Sequence, residues 1–410
     1  MSPETDWGVW GHLAPRYRDQ RPRRMLSLDG GGIRGILTLQ VVVEIENQLR
    51  THYGAGDDFR LCDFFDYIGG TSTGAIIAAA LALGKSAREV LDFYDDFGAE
   101  AFVRRKWYEL LKSLYGDGAL RQKLQDVYGM ETDLTPNGLR TLLLVVTRNL
   151  STDSAWPVSS NPAAKYNAQV RADCNLRIPL WQLVRASAAA PIYFPPETVN
   201  WDPKDRDKSF VFVDGGTTPF NNPAFLMYRM ATEPAYRLCW KRGERNLLIV
   251  SLGTGSAPHL GATAEDDEPN LAQAGLNTLK ALMGQAAVEQ DVNCRIVGRC
   301  THGTKLDREV SDLIPRRSWD TQDAEHIPLS EDQGRAFLYA RYDAELTEQG
   351  LASLGLRNIQ PENVRKLDST DSIEELKEIG RALATTVSLD HFGSFTHLPL
   401  STSTSQGPSQ

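Results

Sequence analysis

An apolar run, Phe64–Ile68, ends in Gly69-Gly70 and passes through Thr71-Ser72-Thr73-Gly74 into the Ala-rich segment Ala75–Leu83. This junction constrains the fold more than any other stretch of the chain. Short apolar runs bounded by turn residues read as buried strands, and a longer Ala- and Leu-rich run reads as a helix. A strand that turns into a helix within a few glycine-rich residues is the repeating unit of a sheet covered by helices. Gly70-x-Ser72-x-Gly74 suits a sharp strand-to-helix turn: Gly70 and Gly74 leave room where side chains would collide, and Thr71 and Thr73 are small. A turn of that kind exposes the Ser72 hydroxyl as a candidate nucleophile.

The same order of strand, glycines and helix occurs earlier. Arg24–Leu28 is a short apolar run that stops at Asp29-Gly30-Gly31-Gly32-Ile33-Arg34-Gly35, after which Ile36, Leu39, Val42, Val43, Ile45 and Leu49 recur at helical spacing. Further strands are predicted at 141–147, 210–213 and 247–252, separated by helical patterns at 88–97, 120–127 and 222–230. The alternation predicts an α/β chain, a three-layer arrangement with a mainly parallel central sheet covered on both faces. Past Leu252 the pattern changes to long helices at 272–292 and 373–387. The expected organisation is therefore a flexible arm over 1–22 and a core over 23–255. A mostly helical part over 256–400, a regulatory or oligomerisation layer, would pack on that core without extending its sheet. The Ser/Thr/Gln/Pro-rich residues 401–410 should be a disordered tail.

Of 410 residues, 41% are hydrophobic and the formal net charge is −9. That balance excludes a chain built to coat a nucleic-acid polymer, and any contact with an anionic membrane must come from a local patch. The five cysteines are odd in number and irregularly spaced, which fits reduced thiols. The N-terminal segment lacks the apolar core of a signal peptide, and no run approaches the ~20 apolar residues of a membrane span. A cytoplasmic, soluble protein is expected.

Two more features bear on chemistry. Gly30-x-Gly32-x-x-Gly35 formally matches a dinucleotide fingerprint, but the acidic residue expected at the end of a second strand is not evident. A glycine turn at a helix start offers unpaired N–H groups to an anion, either a pyrophosphate or the oxyanion of an acyl intermediate. The run Phe210–Val213 delivers Asp214 at its end, followed by Gly215-Gly216. Standing alone, Asp214 would read as a turn former. A serine nucleophile needs a base, commonly histidine. None of the seven histidines closes an apolar strand, and the later ones read as surface residues. A buried carboxylate can take the role.

DGGGIRG at 29–35, GTSTG at 70–74 and DGG at 214–216, in that order, resemble the patatin-like phospholipases. Arg185–Pro196 and Leu247–Gly255 add to the likeness, which covers roughly residues 24 to 255. The resemblance implies Ser72 as nucleophile and Asp214 as general base, with backbone N–H groups of Gly30, Gly31, Gly32, Ile33, Arg34 and Gly35 as the oxyanion hole. Arg34 would fix the loop by an ion pair in preference to meeting a lipid phosphate. No metal or other cofactor is needed for the chemistry so implied.

Arg341–Leu346, Val364–Asp368 and His391-Phe392 are similar to C-terminal regions of bacterial members. Some of these are anti-phage effectors, switched on by cyclic di- or oligonucleotides that help them assemble. The implied partners are membrane phospholipid, a cyclic nucleotide activator and further copies of the chain, with peripheral contact at the inner membrane when active. Val103, Arg104, Arg105, Lys106 and Trp107 combine one apolar face with local positive charge, which suits either an interfacial helix or an ordinary packed one. Arg316–Trp319 could pair phosphates and stack a base, or be a solvated loop. Two rival readings remain at this level. One is a lipase, esterase or acyltransferase with a Ser–His pair; the other is a non-enzymatic nucleotide-binding module using Gly30–Gly35.

Overall fold

The computed structural model describes residues 6–94, 119–191, 194–201, 206–256, 271–304, 306, 334–366 and 370–400. Among them nine strands make one sheet: β1 (Arg23–Leu28), β2 (Tyr67–Thr71), β3 (Leu142–Asn149), β4 (Ser154–Ser159), β5 (Glu197–Asn200), β6 (Ser209–Asp214), β7 (Leu247–Leu252), β8 (Arg299–His302) and β9 (Leu338–Tyr342). Their order is β5-β6-β3-β2-β1-β7-β9-β8, with β4 also paired to β3. The run from β3 through β2, β1, β7 and β9 to β8 is parallel throughout. β4 and β6 pair with β3 antiparallel, and β5 with β6.

Both faces of the central strands are buried, which is why those strands read as unbroken apolar runs. Successive residues alternate between two separate cores. Leu26, Leu28, Ile68, Val145 and Val250 face one, which the helices Gly35–His52, Thr73–Leu83, Leu180–Ser187 and Ile373–Ala384 cover. Met25, Tyr67, Leu144, Val146 and Ile249 face the other, under the helix Ala224–Thr232 and the N-terminal Trp10 and Tyr17. The mainly parallel, helix-covered α/β architecture is the expected one.

Three expectations change. The strand placed at 64–68 starts later: Leu61–Phe64 is a helical turn, closed by Arg60 N–H donating to Asp63 Oδ2, and β2 carries the glycines instead of ending before them. The apolarity of Phe64 and Phe65 reflects burial of a turn. Secondly, the arm over 1–22 is packed structure from residue 6 onward. Trp10 and Tyr17 are buried, and the Tyr17 hydroxyl donates to Asp66 O. Arg16 and Arg21 both reach Asp66 Oδ1, so a buried carboxylate on the body anchors the segment. Thirdly, the part beyond 255 does extend the sheet, through β9 and β8. The long helix is there, as Leu271–Val297, but it leads into β8. Residues 103–107, 316–319 and 401–410 lie outside the described residues.

Candidate active site

The register on β3 decides which residues meet. Thr71, the last residue of β2, pairs with Val146, and Asp214, the last residue of β6, pairs with Thr147. β4 occupies the opposite edge of β3 at both positions. A strand has two edges, so β6 must lie in line with β2, and their carboxyl ends meet head-on. Parallel strands gather their carboxyl ends on a common rim. The structure reaches the same neighbourhood by another route, because β6 runs antiparallel to β3.

Ser72 follows Thr71 at φ +55° and ψ −122°, in a region that non-glycine residues rarely adopt. This conformation turns the chain from β2 into the helix Thr73–Leu83. A Cβ at Gly70 would stand 2.1 Å from Gly74 O, and one at Gly74 would stand 2.2 Å from Leu28 O, so the turn closes only with glycine at both places. Ser72 N–H donates to Ser187 Oγ at 2.9 Å, and Ser187 Oγ donates to Val146 O at 2.7 Å, tying the turn to β3. Thr71 Oγ1 donates to Phe220 O and Thr73 Oγ1 to Gly32 O, so both threonines brace neighbouring loops.

Ser72 Oγ donates to Asp214 Oδ2 at 2.6 Å, and both residues are buried, 8% and 2% exposed. Gly216 N–H donates to Asp214 Oδ1 at 2.6 Å and fixes the carboxylate. Gly215 lets the chain turn, since a Cβ there would meet Val146 O at 2.2 Å. Burial pushes the Asp214 carboxyl up to about 6, against the pull of the Ser72 and Gly216 hydrogen bonds. A carboxylate of that basicity, short-bonded to a hydroxyl, has the properties of a proton acceptor near neutral pH.

The glycine loop lies beside this pair: a Cβ at Gly30 would stand 3.2 Å from Ser72 Cβ. Its N–H groups are not equivalent. Gly30 N–H donates to Asn221 O, Arg34 N–H to Gly31 O, and Gly35 N–H to Gly32 O and Ile33 O. Those three are engaged, which narrows the expected donor set Gly30–Gly35. The N–H groups of Gly31, Gly32 and Ile33 have no acceptor among the described residues. Gly30 C=O is held by Asn221 Nδ2 at 3.2 Å and Thr254 Oγ1 at 3.0 Å. In a planar peptide the next N–H points the opposite way, so the same two side chains aim Gly31 N–H.

Arg34 is structural in its contacts. Its Nη1 donates to Gly255 O at 3.0 Å, and burial lowers its pKa to about 10 although Asp343 and Asp29 favour the charge. The ion pair at the loop belongs instead to Arg341 on β9. Arg341 grips Asp29 with both Nη atoms, at 3.0 and 2.6 Å, and also reaches Ser251 Oγ and Asp343 Oδ2. Asp343 in turn accepts from Gly255 N–H at 2.8 Å.

Sequence reasoning missed Ser187, Asn221, Thr254 and Arg341 as parts of the site. Three of them lie inside stretches that carry the family likeness, but only the fold shows which atoms they hold. No described hydrogen bond joins a histidine to Ser72. His52 bonds Thr396 O, His391 Nδ1 bonds the Tyr342 hydroxyl, and His302 stacks on His391. The last two are half-buried, not surface residues, and burial lowers the pKa of His302 to about 4. His259 and His326 lie outside the described residues.

Comparison with known proteins gives the same answer as the motifs. The family described as patatin-like phospholipase matches residues 26–228. Patatin-17 of Solanum cardiophyllum is 30% identical over 252 residues, covering 58% of this chain and 62% of that protein. Two proteins named cGAMP-activated phospholipase are also similar. The one from Vibrio cholerae serotype O1 is 34% identical over 224 residues, covering 52% of this chain and 59% of its own. The one from Escherichia coli strain TW11681 is 35% identical over 213 residues, covering 50% and 55%. The matched part thus spans less than two thirds of each of these relatives. The glycine loop, the serine turn and the Asp214 turn all fall inside the matched residues, and residues 26–228 thus form a patatin-like phospholipase domain.

Proposed function

We propose that this protein is a lipid acyl hydrolase that releases fatty acid from phospholipid esters through Ser72 and Asp214. The observation that carries the reading is the 2.6 Å hydrogen bond from Ser72 Oγ to a buried carboxylate of raised pKa. As Oγ attacks the acyl carbonyl, Asp214 takes its proton. The developing oxyanion would be met by Gly31 and Gly32 N–H, each well-placed donor being worth about 3–4 kcal/mol in the transition state. The proton passes from Asp214 to the departing lysolipid or alcohol. Water, deprotonated by the same carboxylate, then frees the fatty acid. The rival Ser–His reading has no described histidine at Ser72 to support it. The dinucleotide-module reading lacks its acidic ribose partner, and a Cβ at Gly31 would overlap Thr254, which crowds the loop from the protein side.

Activation by a cyclic di- or oligonucleotide, assembly into a homo-oligomer and a role in anti-phage defence form the finer part of the proposal. They rest on the names of two relatives and on the C-terminal likeness. Contact with the cytoplasmic face of the membrane would be peripheral; no described helix is long and apolar enough to cross one. The direct test incubates the purified protein with mixed phospholipid vesicles, with and without a panel of cyclic nucleotides, and follows lipids by mass spectrometry. Free fatty acid and lysolipid should appear with the wild-type protein and not with Ser72→Ala, and one nucleotide should raise the yield. Absence of fatty-acid release under every condition would refute the hydrolase reading; equal release with every nucleotide would refute only the activation.

A further inference from the structure

The Asn221 side chain is buried, 6% exposed, and its two polar atoms fare differently. Nδ2 donates to Gly30 O. Oδ1 has no hydrogen-bond partner among the described residues. Exchanging the two ends of the amide would set Oδ1 against the oxygen of Gly30, so the bond of Nδ2 fixes the orientation. A buried amide oxygen without a donor is costly and calls for an occupant.

The position of that oxygen indicates the occupant. It lies 2.4 Å from where a Cβ on Gly30 would be, a point itself 3.2 Å from Ser72 Cβ. It also lies 2.9 Å from where a Cβ on Gly216 would be, a point 3.0 Å from Asp214 Oδ1. Asn221 Oδ1 thus packs against the side-chain faces of Gly30 and Gly216, within reach of Ser72 and Asp214, with Met283 Cε 2.7 Å from the Gly216 point as the apolar neighbour. A hydrolytic water has two O–H bonds, and Asp214 can accept only one of them while taking its proton.

Resting on the Ser72–Asp214 reading, we propose that Asn221 is a catalytic residue of deacylation, its Oδ1 holding the second O–H of the attacking water. The water oxygen bonds to the acyl carbon as one proton passes to Asp214 and the other O–H stays hydrogen-bonded to Asn221. Collapse of the tetrahedral intermediate breaks the bond from carbon to Ser72 Oγ. The proton on Asp214 returns to Oγ, and the fatty acid leaves with the remaining hydroxyl. Acylation involves no water, so Oδ1 acts in one half-reaction only.

That asymmetry separates this role from merely holding the loop. Thr254 shares the bond to Gly30 O but has no buried polar atom left without a partner, so Thr254→Val is the control for loop position. The measurement is stopped-flow release of p-nitrophenolate from p-nitrophenyl butyrate, with intact-protein mass spectrometry of the acyl adduct. In Asn221→Ala the burst should match that of Thr254→Val, while the steady state falls about ten-fold further and acyl-Ser72 accumulates. Parallel loss of burst and steady state in both variants would overturn the proposal. If Asn221→Ala does not fold, Asn221→Gly, which likewise lacks the oxygen, is read the same way, with its fold checked by circular dichroism. Release that survives Ser72→Ala, or no release at all, would instead overturn the dyad reading and this inference with it.

Discussion

A carboxyl with a pKa of about 6 in the fold and 3.8 as its ordinary value holds its proton more tightly when folded. Its contribution to stability is therefore complete below about pH 4 and is lost as pH rises through about 6. At pH 8 the ionised, buried Asp214 costs about 3 kcal/mol relative to its protonated form. Asn at this position can still accept from Gly216 N–H and face Ser72 Oγ. Asp214→Asn should thus be more stable than the wild type by up to about 3 kcal/mol at pH 8, with the difference vanishing near pH 4 in urea titrations. Equal stability at both pH values would show that the carboxyl is not perturbed. At this scale Ser72 stood out as a candidate nucleophile from its strand, turn and helix alone, whereas the candidacy of Asp214 depended on the order of motifs. Asn221 and Thr254 were not legible as site residues, because their meaning is a contact with Gly30 across long stretches of chain. An amide or hydroxyl in a loop carries no sign of which peptide it will hold.

Among the elements, β6 and β9 do what periodicity could not announce. β6 read correctly as a strand ending in Asp214, but its direction, and so the head-on meeting with β2, follows only from its pairing with β3. β9 was missed because its five residues, Leu338–Tyr342, contain Arg341, and a charge inside a short apolar run argues against a buried strand. The charge is tolerated because the guanidinium fork meets Asp29 at the start of the glycine loop, with Ser251 and Asp343 satisfying more of its donors. Removing one partner of a buried pair strands the other, at about 3–5 kcal/mol. Arg341→Ala should lower the unfolding free energy by that amount. Arg341→Lys keeps the charge but not the fork and should recover only part of it. A loss under about 1 kcal/mol for Arg341→Ala, too small for a stranded buried charge, would mean that β9 does not anchor the loop.

For the whole molecule, one sheet crosses the boundary that the change of sequence character suggested at 255. β7 is buried on both faces, with β9 as its outer neighbour, and the N-terminal Trp10 and Tyr17 close the opposite core. A chain cut after Ser256 would bare the edge of β7 and should aggregate or lose its near-UV circular dichroism signal, while the full chain melts cooperatively. A soluble, cooperatively folding fragment would restore the two-part division. The pairing of Ser72 with its base can be tested without choosing a lipid. A fluorophosphonate probe reacts with an activated serine, and peptide mapping locates the adduct. The adduct should form on Ser72, and more slowly as pH falls through about 6. Asp214→Asn should abolish the reaction, and substitution of any histidine should leave it intact. An adduct elsewhere, or labelling of Asp214→Asn at the wild-type rate, would contradict that pairing.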